Sequence, residues 1–170
     1  NGLIHELGVS VQNPLELQNI LEDEEVRFIQ LPFNILDWRW SEIIDDVEKV
    51  KNSRNVIIHA RSTLLQGLLT TNNVNYWKKA HVNKPEKIFY WLKFLKDKLG
   101  CKNVIELCLR YVLSQTWIDG IVVGMETMNQ LHENLRVVNM GCVSLNDLRM
   151  IANSRPILNE STLDPSRWKK

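Results

Sequence analysis

No apolar run in these 170 residues approaches the roughly 20 needed to span a bilayer, so a membrane partner is not expected. The opening stretch NGLIHELGVS has neither a basic start nor an apolar signal core, and a cytoplasmic location is the expectation. Neither sign of charge is in excess. With 21 Lys and Arg against 20 Asp and Glu, the net charge is +1, too weak a field to select nucleic acid as partner. Cysteine is sparse: Cys101, Cys108 and Cys142 form no CxxC pair, their odd number argues against a disulfide framework, and each reads as a small buried hydrophobe. Also missing are a GxGxxG fingerprint, a P-loop, a Ser-His-Asp order and a metal-ligand cluster. Asn1 stands where an initiator methionine would, and a strand-like segment follows almost at once. Together these suggest a fragment or a processed product.

What is present suits one packed globular unit over residues 1–170, with 44% hydrophobic and 24% charged residues. Residues 5–11 form a short β-like run. Asn13, Pro14 and Glu16 then supply a cap, a first-turn proline and a capping box for a helix carrying Leu17, Ile20 and Leu21. Residues 26–34 read as a buried strand leaving its sheet near Leu31, before Pro32. Ile43, Ile44, Val47 and Val50 recur at helical spacing. Residues 55–60 are a β-branched strand running into the loop 61–73, whose apolar character suggests a pocket lining. Helices are expected over 86–99, stopped by Gly100, and over 103–115. Residues 117–124 read as a fourth strand. Thr127 and Gln130 start a helix with a capping box, Ser144 and Asp147 start the last one, and residues 156–170 read as an irregular tail.

This order of strands and long crossovers predicts an α/β chain with parallel strands. An open doubly wound sheet and about four βα units of a (β/α)₈ TIM barrel both fit it, the barrel needing about 250 residues when complete. The strand ends carry more information. They read GVS at 8–10, QLPFN at 30–34, RSTLLQGLL at 61–69 and GMETMNQLHENL at 124–135. As a set, in this order and spacing, they resemble the C-terminal half of an aldo/keto reductase, a nicotinamide-dependent oxidoreductase acting on a carbonyl or alcohol substrate.

That resemblance implies a cofactor cradle for NADP or NAD. Ser10 and Gln30 would hydrogen-bond the nicotinamide carboxamide. Ser62, Leu64 and Gly67 would wrap the pyrophosphate, glycine permitting close backbone approach. Gly124, Gln130, Glu133 and Asn134 would hold the adenosine end. The plain alternatives are a polar strand-end residue for Gln30, a turn glycine for Gly67, and a capping glutamine on a solvated face for Gln130. Val11 stands where many members have asparagine. Arg61 stands where many have a ring that stacks on the nicotinamide, and it reads either as a stacking or anion-seeking guanidinium or as a strand-end salt bridge. Glu126 and Gln130 replace basic residues that NADP-preferring members aim at the 2′-phosphate.

The family's catalytic aspartate, tyrosine, lysine and histidine belong to the half that this chain lacks, so no catalytic residue is assigned to it. His5, His59, His81, His132, Tyr76, Tyr90 and Tyr111 are read mainly as packing residues, while Trp38 and Trp40 are placed to meet substrate. The resemblance is to members encoded with sugar or surface-polysaccharide enzymes, which implies an oxidised sugar derivative as substrate. Four strands alone expose an apolar barrel interior and two sheet edges, implying a complementary N-terminal half or a homo-oligomer as partner. The alternative from another class is a non-catalytic nucleotide-binding or scaffold half-barrel that self-associates.

Overall fold

Local chemistry starts most helices where the sequence predicts. In the computed structural model, which describes residues 2–169, the first strand, β1 (Leu7–Ser10), leads to helix α1 (Pro14–Leu21). Asn13 caps α1 by accepting the Glu16 N–H at 2.9 Å. The reciprocal half of the box is displaced by one residue, since the Glu16 carboxylate takes the Gln12 N–H at 2.6 Å and the Asn13 side-chain amide at 2.7 Å. After α1 come β2 (Val26–Pro32), a 3₁₀ turn (Arg39–Glu42), α2 (Ile44–Ser53) and β3 (Ile57–Arg61). A second 3₁₀ turn (Leu68–Thr70), α3 (Val74–Lys79), α4 (Glu86–Lys98), α5 (Val104–Leu113) and β4 (Gly120–Ile121) complete the sheet, followed by α6 (Met128–Val138) and α7 (Leu145–Ser154).

The four strands lie in the order β1-β2-β3-β4, and each pairs with its neighbour in parallel. Strand alternation gives the sheet two unlike faces. Ile29, Leu31, Ile58 and Ala60 face the helices and share one buried cluster with Leu17, Val47, Leu107 and Val112. The opposite face carries Gly8, Ser10, Phe28, Gln30, Ile57, His59 and Arg61, all exposed or half-exposed. That face was expected to be apolar; most of these residues are not. Pro32 stays in the ladder, opposite Arg61, and Phe33 N–H still donates to Arg61 C=O at 2.9 Å. The Gln30 C=O points toward β1, where it accepts from Val11 N–H. By alternation the Pro32 nitrogen points the same way, beyond the end of β1, so its missing donor costs no ladder bond.

Several expectations change. The fourth strand shrinks to Gly120–Ile121, because this edge strand meets β3 only opposite His59 and Ala60, while Trp117 and Ile118 ahead of it turn into the core. Helix α3 arises inside a stretch not expected to be helical, capped by Asn73 and anchored by fully buried Trp77. The leucines of the preceding loop are apolar chiefly because Leu65, Leu68 and Leu69 are core residues. Trp40 cannot meet a substrate, being fully buried with its indole donating to Asp37 Oδ2 at 3.1 Å. Tyr76 and Tyr90 are exposed rather than packed, whereas Tyr111 is buried.

The segment after Pro156 is irregular only in part. It forms α8 (Glu160–Leu163) and a 3₁₀ turn (Pro165–Arg167), with Thr162 and Leu163 buried. It straps the rest of the chain through Trp38 Nε1–H to Leu158 C=O (2.9 Å) and Gln12 Nε2 to Asp164 Oδ1 (3.1 Å).

Cys101 and Cys108 are buried, but Cys142 is exposed. Burial pushes both inner thiols up, that of Cys108 strongly. Iodoacetamide at neutral pH should therefore modify Cys142 first and leave Cys108 untouched until the chain unfolds. Peptide mass mapping reads this directly, and early Cys108 alkylation would contradict it. Burial likewise raises the Tyr111 phenol, against the opposing Arg155 guanidinium. Cys108 and Tyr111 thus hold their protons more tightly folded than unfolded. Stability should be undiminished below the ordinary thiol and phenol values of about 8.5 and 10 and be lost progressively as pH rises toward the folded values. Urea midpoints at neutral and strongly alkaline pH test this; a midpoint that does not fall would refute it.

Candidate functional site

The loop after β3 combines conformations that an ordinary connection avoids. Ser62 (φ 58°), Leu65 (47°), Gln66 (53°) and Gly67 (80°) all occupy the left-handed region, which is strained for any side chain but glycine. Burial of Leu65, Leu68 and Leu69 beneath the loop holds it there. Among the described residues, the backbone N–H groups of Thr63, Leu64, Gln66 and Gly67 donate to no protein acceptor. Thr63 is 2% exposed, and its hydroxyl is a buried polar atom without a partner.

Opposite this loop stands the N-terminus of α6. Thr127 Oγ1 accepts the Gln130 N–H at 3.2 Å, while Gln130 Oε1 accepts the N–H groups of Glu126 (2.7 Å) and Thr127 (3.3 Å). This is the capping box read from the sequence. It occupies the Gln130 carbonyl oxygen and leaves the amide nitrogen without an acceptor among the described residues. Between loop and helix lies a cleft of ≈ 710 Å³ at the C-terminal ends of β3 and β4. Arg61, Ser62, Thr63, Leu64, Gln66 and Gly67 form one wall, and residues 122–126 with Gln130 form the other.

Most of the residues singled out in the sequence therefore converge: Arg61, Ser62, Leu64, Gly67, Gly124, Glu126 and Gln130 line one cleft. A side chain at Gly124 would meet no atom within 4 Å and would extend into open space, whereas Gly67 is required by its φ. Ser10 and Gln30 do not line the cleft. They lie opposite each other on β1 and β2, on the open sheet face, with Arg61 on the same face of β3. Glu133 binds Lys102 at 3.3 Å on an exposed surface, and Asn134 is half-buried with no side-chain hydrogen bond among the described residues.

Among the described residues Arg61 forms no salt bridge. Its guanidinium donates to Val11 C=O (3.2 Å) and Gln12 Oε1 (2.7 Å), tying β3 to the end of β1. Both acceptors are neutral, so the charge remains available to an anion. Glu126 is the acidic counterpart on the other wall. No group of His, Cys, Asp or Glu among the described residues is placed to hold a metal ion, and no helix among them is long and apolar enough to cross a membrane.

Two contributors were not read from the sequence. Thr63 sits between two residues that were, and nothing local distinguishes its hydroxyl. Glu106 is 1% exposed and accepts from Arg136 Nη2 at 2.8 Å, locking α6 against α5 and so fixing the helix that presents Gln130. Arg110, at 4.0 Å, is its second cation.

A family profile described as the Aldo/keto reductase family matches residues 1–153. No curated protein matches the chain significantly in sequence. Among solved structures, an aldo-keto reductase from Bacillus halodurans in its holo form superposes with a TM-score of 0.70 at 17% identity, over 95% of this chain and 54% of that one. A thermostable aldo-keto reductase bound to the inhibitor epalrestat gives 0.62 at 19% identity, over 90% of this chain and 49% of that one. A glycerol dehydrogenase from Gluconobacter oxydans gives 0.56 at 20% identity, over 88% and 48%. At these identities the likeness is one of fold: four parallel βα units corresponding to about half of a barrel. The chain spans about half the length of these structures.

Proposed function

Because the chain belongs to the aldo/keto reductase family, a family of oxidoreductases, we propose that it forms the nicotinamide-dinucleotide cradle of an enzyme moving hydride between that cofactor and a carbonyl or alcohol. The observation carrying this reading is the cleft itself: a strained loop with unpaired N–H groups and an orphaned Thr63 hydroxyl faces a capped helix start at the strand ends. Such N–H groups suit a pyrophosphate, and the cleft volume suits a small-molecule site. Bound there, the nicotinamide supplies the hydride chemistry. The protein's part is to hold and orient it. Ser62, Thr63, Leu64 and Gly67 hold the phosphates, Gly124 and Gln130 flank the adenosine end, and Glu133 and Asn134 lie one turn further along α6. Ser10 and Gln30 orient the nicotinamide carboxamide, and the Arg61 guanidinium stacks on the ring or takes an anionic group of the substrate.

Under this reading the chain is not active alone, the family's catalytic tetrad being supplied from outside these residues. The substrate class is a small carbonyl compound, with an oxidised sugar derivative the favoured example, and the protein is cytoplasmic. Glu126, facing the cleft, disfavours a 2′-phosphate and so favours NAD over NADP. The test is a titration of the purified chain with NADH and NADPH, read by quenching of tryptophan fluorescence, with light scattering on the same sample. Saturable binding, tighter for NADH and losing that preference in Glu126→Gln, is the expected result. A folded chain that binds neither dinucleotide would overturn the reading.

A second reading is favoured by the open sheet face. Phe28, Ile57 and His59 stay half-exposed there, and β1 is an uncovered edge with Leu7 41% exposed. On this reading the chain pairs with a complementary half or with a second copy and serves as a nucleotide-binding scaffold. Light scattering reports the second copy directly.

A further inference from the structure

The wall formed by Gln66 and Gly67 has a second side. Behind it lies a pocket of ≈ 350 Å³, separate from the strand-end cleft, whose lining includes Tyr76 and Lys79 from α3 and Trp168 and Lys169 from the C-terminal strap. No Asp or Glu contributes to that lining. The two lysines, one mid-chain on α3 and one in the C-terminal strap, are brought together where Lys169 N–H donates to Lys79 C=O at 3.0 Å. The Trp168 indole is fixed by donating to Thr162 C=O at 3.0 Å. His81, held at φ 65°, bonds Arg167 C=O at 2.8 Å and closes the turn behind them. Neither Lys79 nor Lys169 forms an ion pair among the described residues, and the same is true of Lys78 and Arg167 beside them. In a chain whose net charge is only +1, such a group of unneutralised cations is a local concentration. Tyr76, 56% exposed, adds an aromatic surface that no core contact explains.

We propose that this pocket is a binding site for a phosphate monoester carried on a planar ring, with Lys79 and Lys169 meeting the phosphate and Tyr76 and Trp168 flanking the ring. Lysine ammonium groups serve phosphates as compact point charges with several donors, and aromatic side chains offer flat apolar area to a ring. The site stands on these residues independently of the dinucleotide reading. Two sources share the chemistry: a free phosphorylated metabolite, or a phosphate of a dinucleotide reaching over the Gln66–Gly67 wall.

The probe is phenyl phosphate, with inorganic phosphate and phenol as controls, followed by amide shifts of Gly67 and Lys79 and the indole shift of Trp168. Saturable binding of phenyl phosphate, tighter than either control, is the expected result. Lys79→Gln and Lys169→Gln, both at exposed positions, should each weaken it by about three- to tenfold without moving the urea midpoint, and Tyr76→Leu should narrow its advantage over inorganic phosphate. Competition by NADPH but not NADH would identify the phosphate as the dinucleotide's own, and no competition by either would identify a separate metabolite. Binding that ignores both lysine substitutions, phenol binding as tightly as phenyl phosphate, or no saturable binding would each overturn the proposal.

Discussion

Asp37→Ala should lower the unfolding free energy by about 3–5 kcal/mol, the range for breaking a buried ion pair from one side. The Asp37 side chain is fully buried and that of Arg39 is 7% exposed. The carboxylate receives Arg39 Nε at 2.9 Å and Nη2 at 2.7 Å, the Arg39 N–H at 3.2 Å and the Trp40 indole at 3.1 Å. Burial alone would lower the Arg39 pKa. The hydrogen bonds and attraction of Asp37, aided by Glu160 and Asp164, outweigh it and raise the pKa above its ordinary value. Without Asp37 the guanidinium cannot escape by losing its proton; it keeps only the weaker attraction of Glu160 and Asp164, and the Trp40 indole N–H loses its acceptor. Asp37→Asn keeps one acceptor and should cost less. A urea midpoint for Asp37→Ala equal to that of the parent would refute this account.

Arg136→Ala should cost about 2–3 kcal/mol, below that range because the Arg136 side chain is 44% exposed and part of its charge is already solvated. The cost arises at Glu106, whose side chain is 1% exposed and would keep only Arg110, at 4.0 Å. One Glu106 oxygen and Arg110 Nε already lack hydrogen bonds, so the remaining cation does not absorb the loss. Because the pair docks α6 on α5, the same substitution should weaken whatever Gln130 helps to hold. The check is a double-mutant cycle: Glu106→Leu with Arg136→Leu removes both partners and should recover most of the stability lost by Arg136→Leu alone. If the double variant is the least stable of the three, an uncompensated carboxylate is not the cause.

How much of this was legible in advance follows the range of the interactions. The caps at Asn13, Thr127 and Ser144 and the Gly100 stop (φ 64°) join residues three or four apart or concern one residue's φ, so letters alone reveal them. The apolar and β-branched runs at 26–31 and 55–60 are equally local and identified the strands, whereas the face that stays open was expected to be apolar and His59 to pack, because which side of a strand the helices cover is set by tertiary packing. The length of β4 was not legible, because pairing stops where β3 ceases to offer partners. The same holds for the ordered strap after Pro156, built by bonds such as Gln12 to Asp164, 152 residues apart.

For the site, the sequence by itself determined which residue types stand at the strand ends, their order and the capped start of α6, since each depends on neighbours along the chain. Only the tertiary structure decided that seven of those residues share one cleft, that Glu133 is drawn off to Lys102, that Thr63 is buried without a partner, and that Glu106 holds α6 in place. Burial and long-range pairing are properties of the packed chain: a hydroxyl or carboxylate has the same local sequence whether water or protein surrounds it, and folding alone selects which.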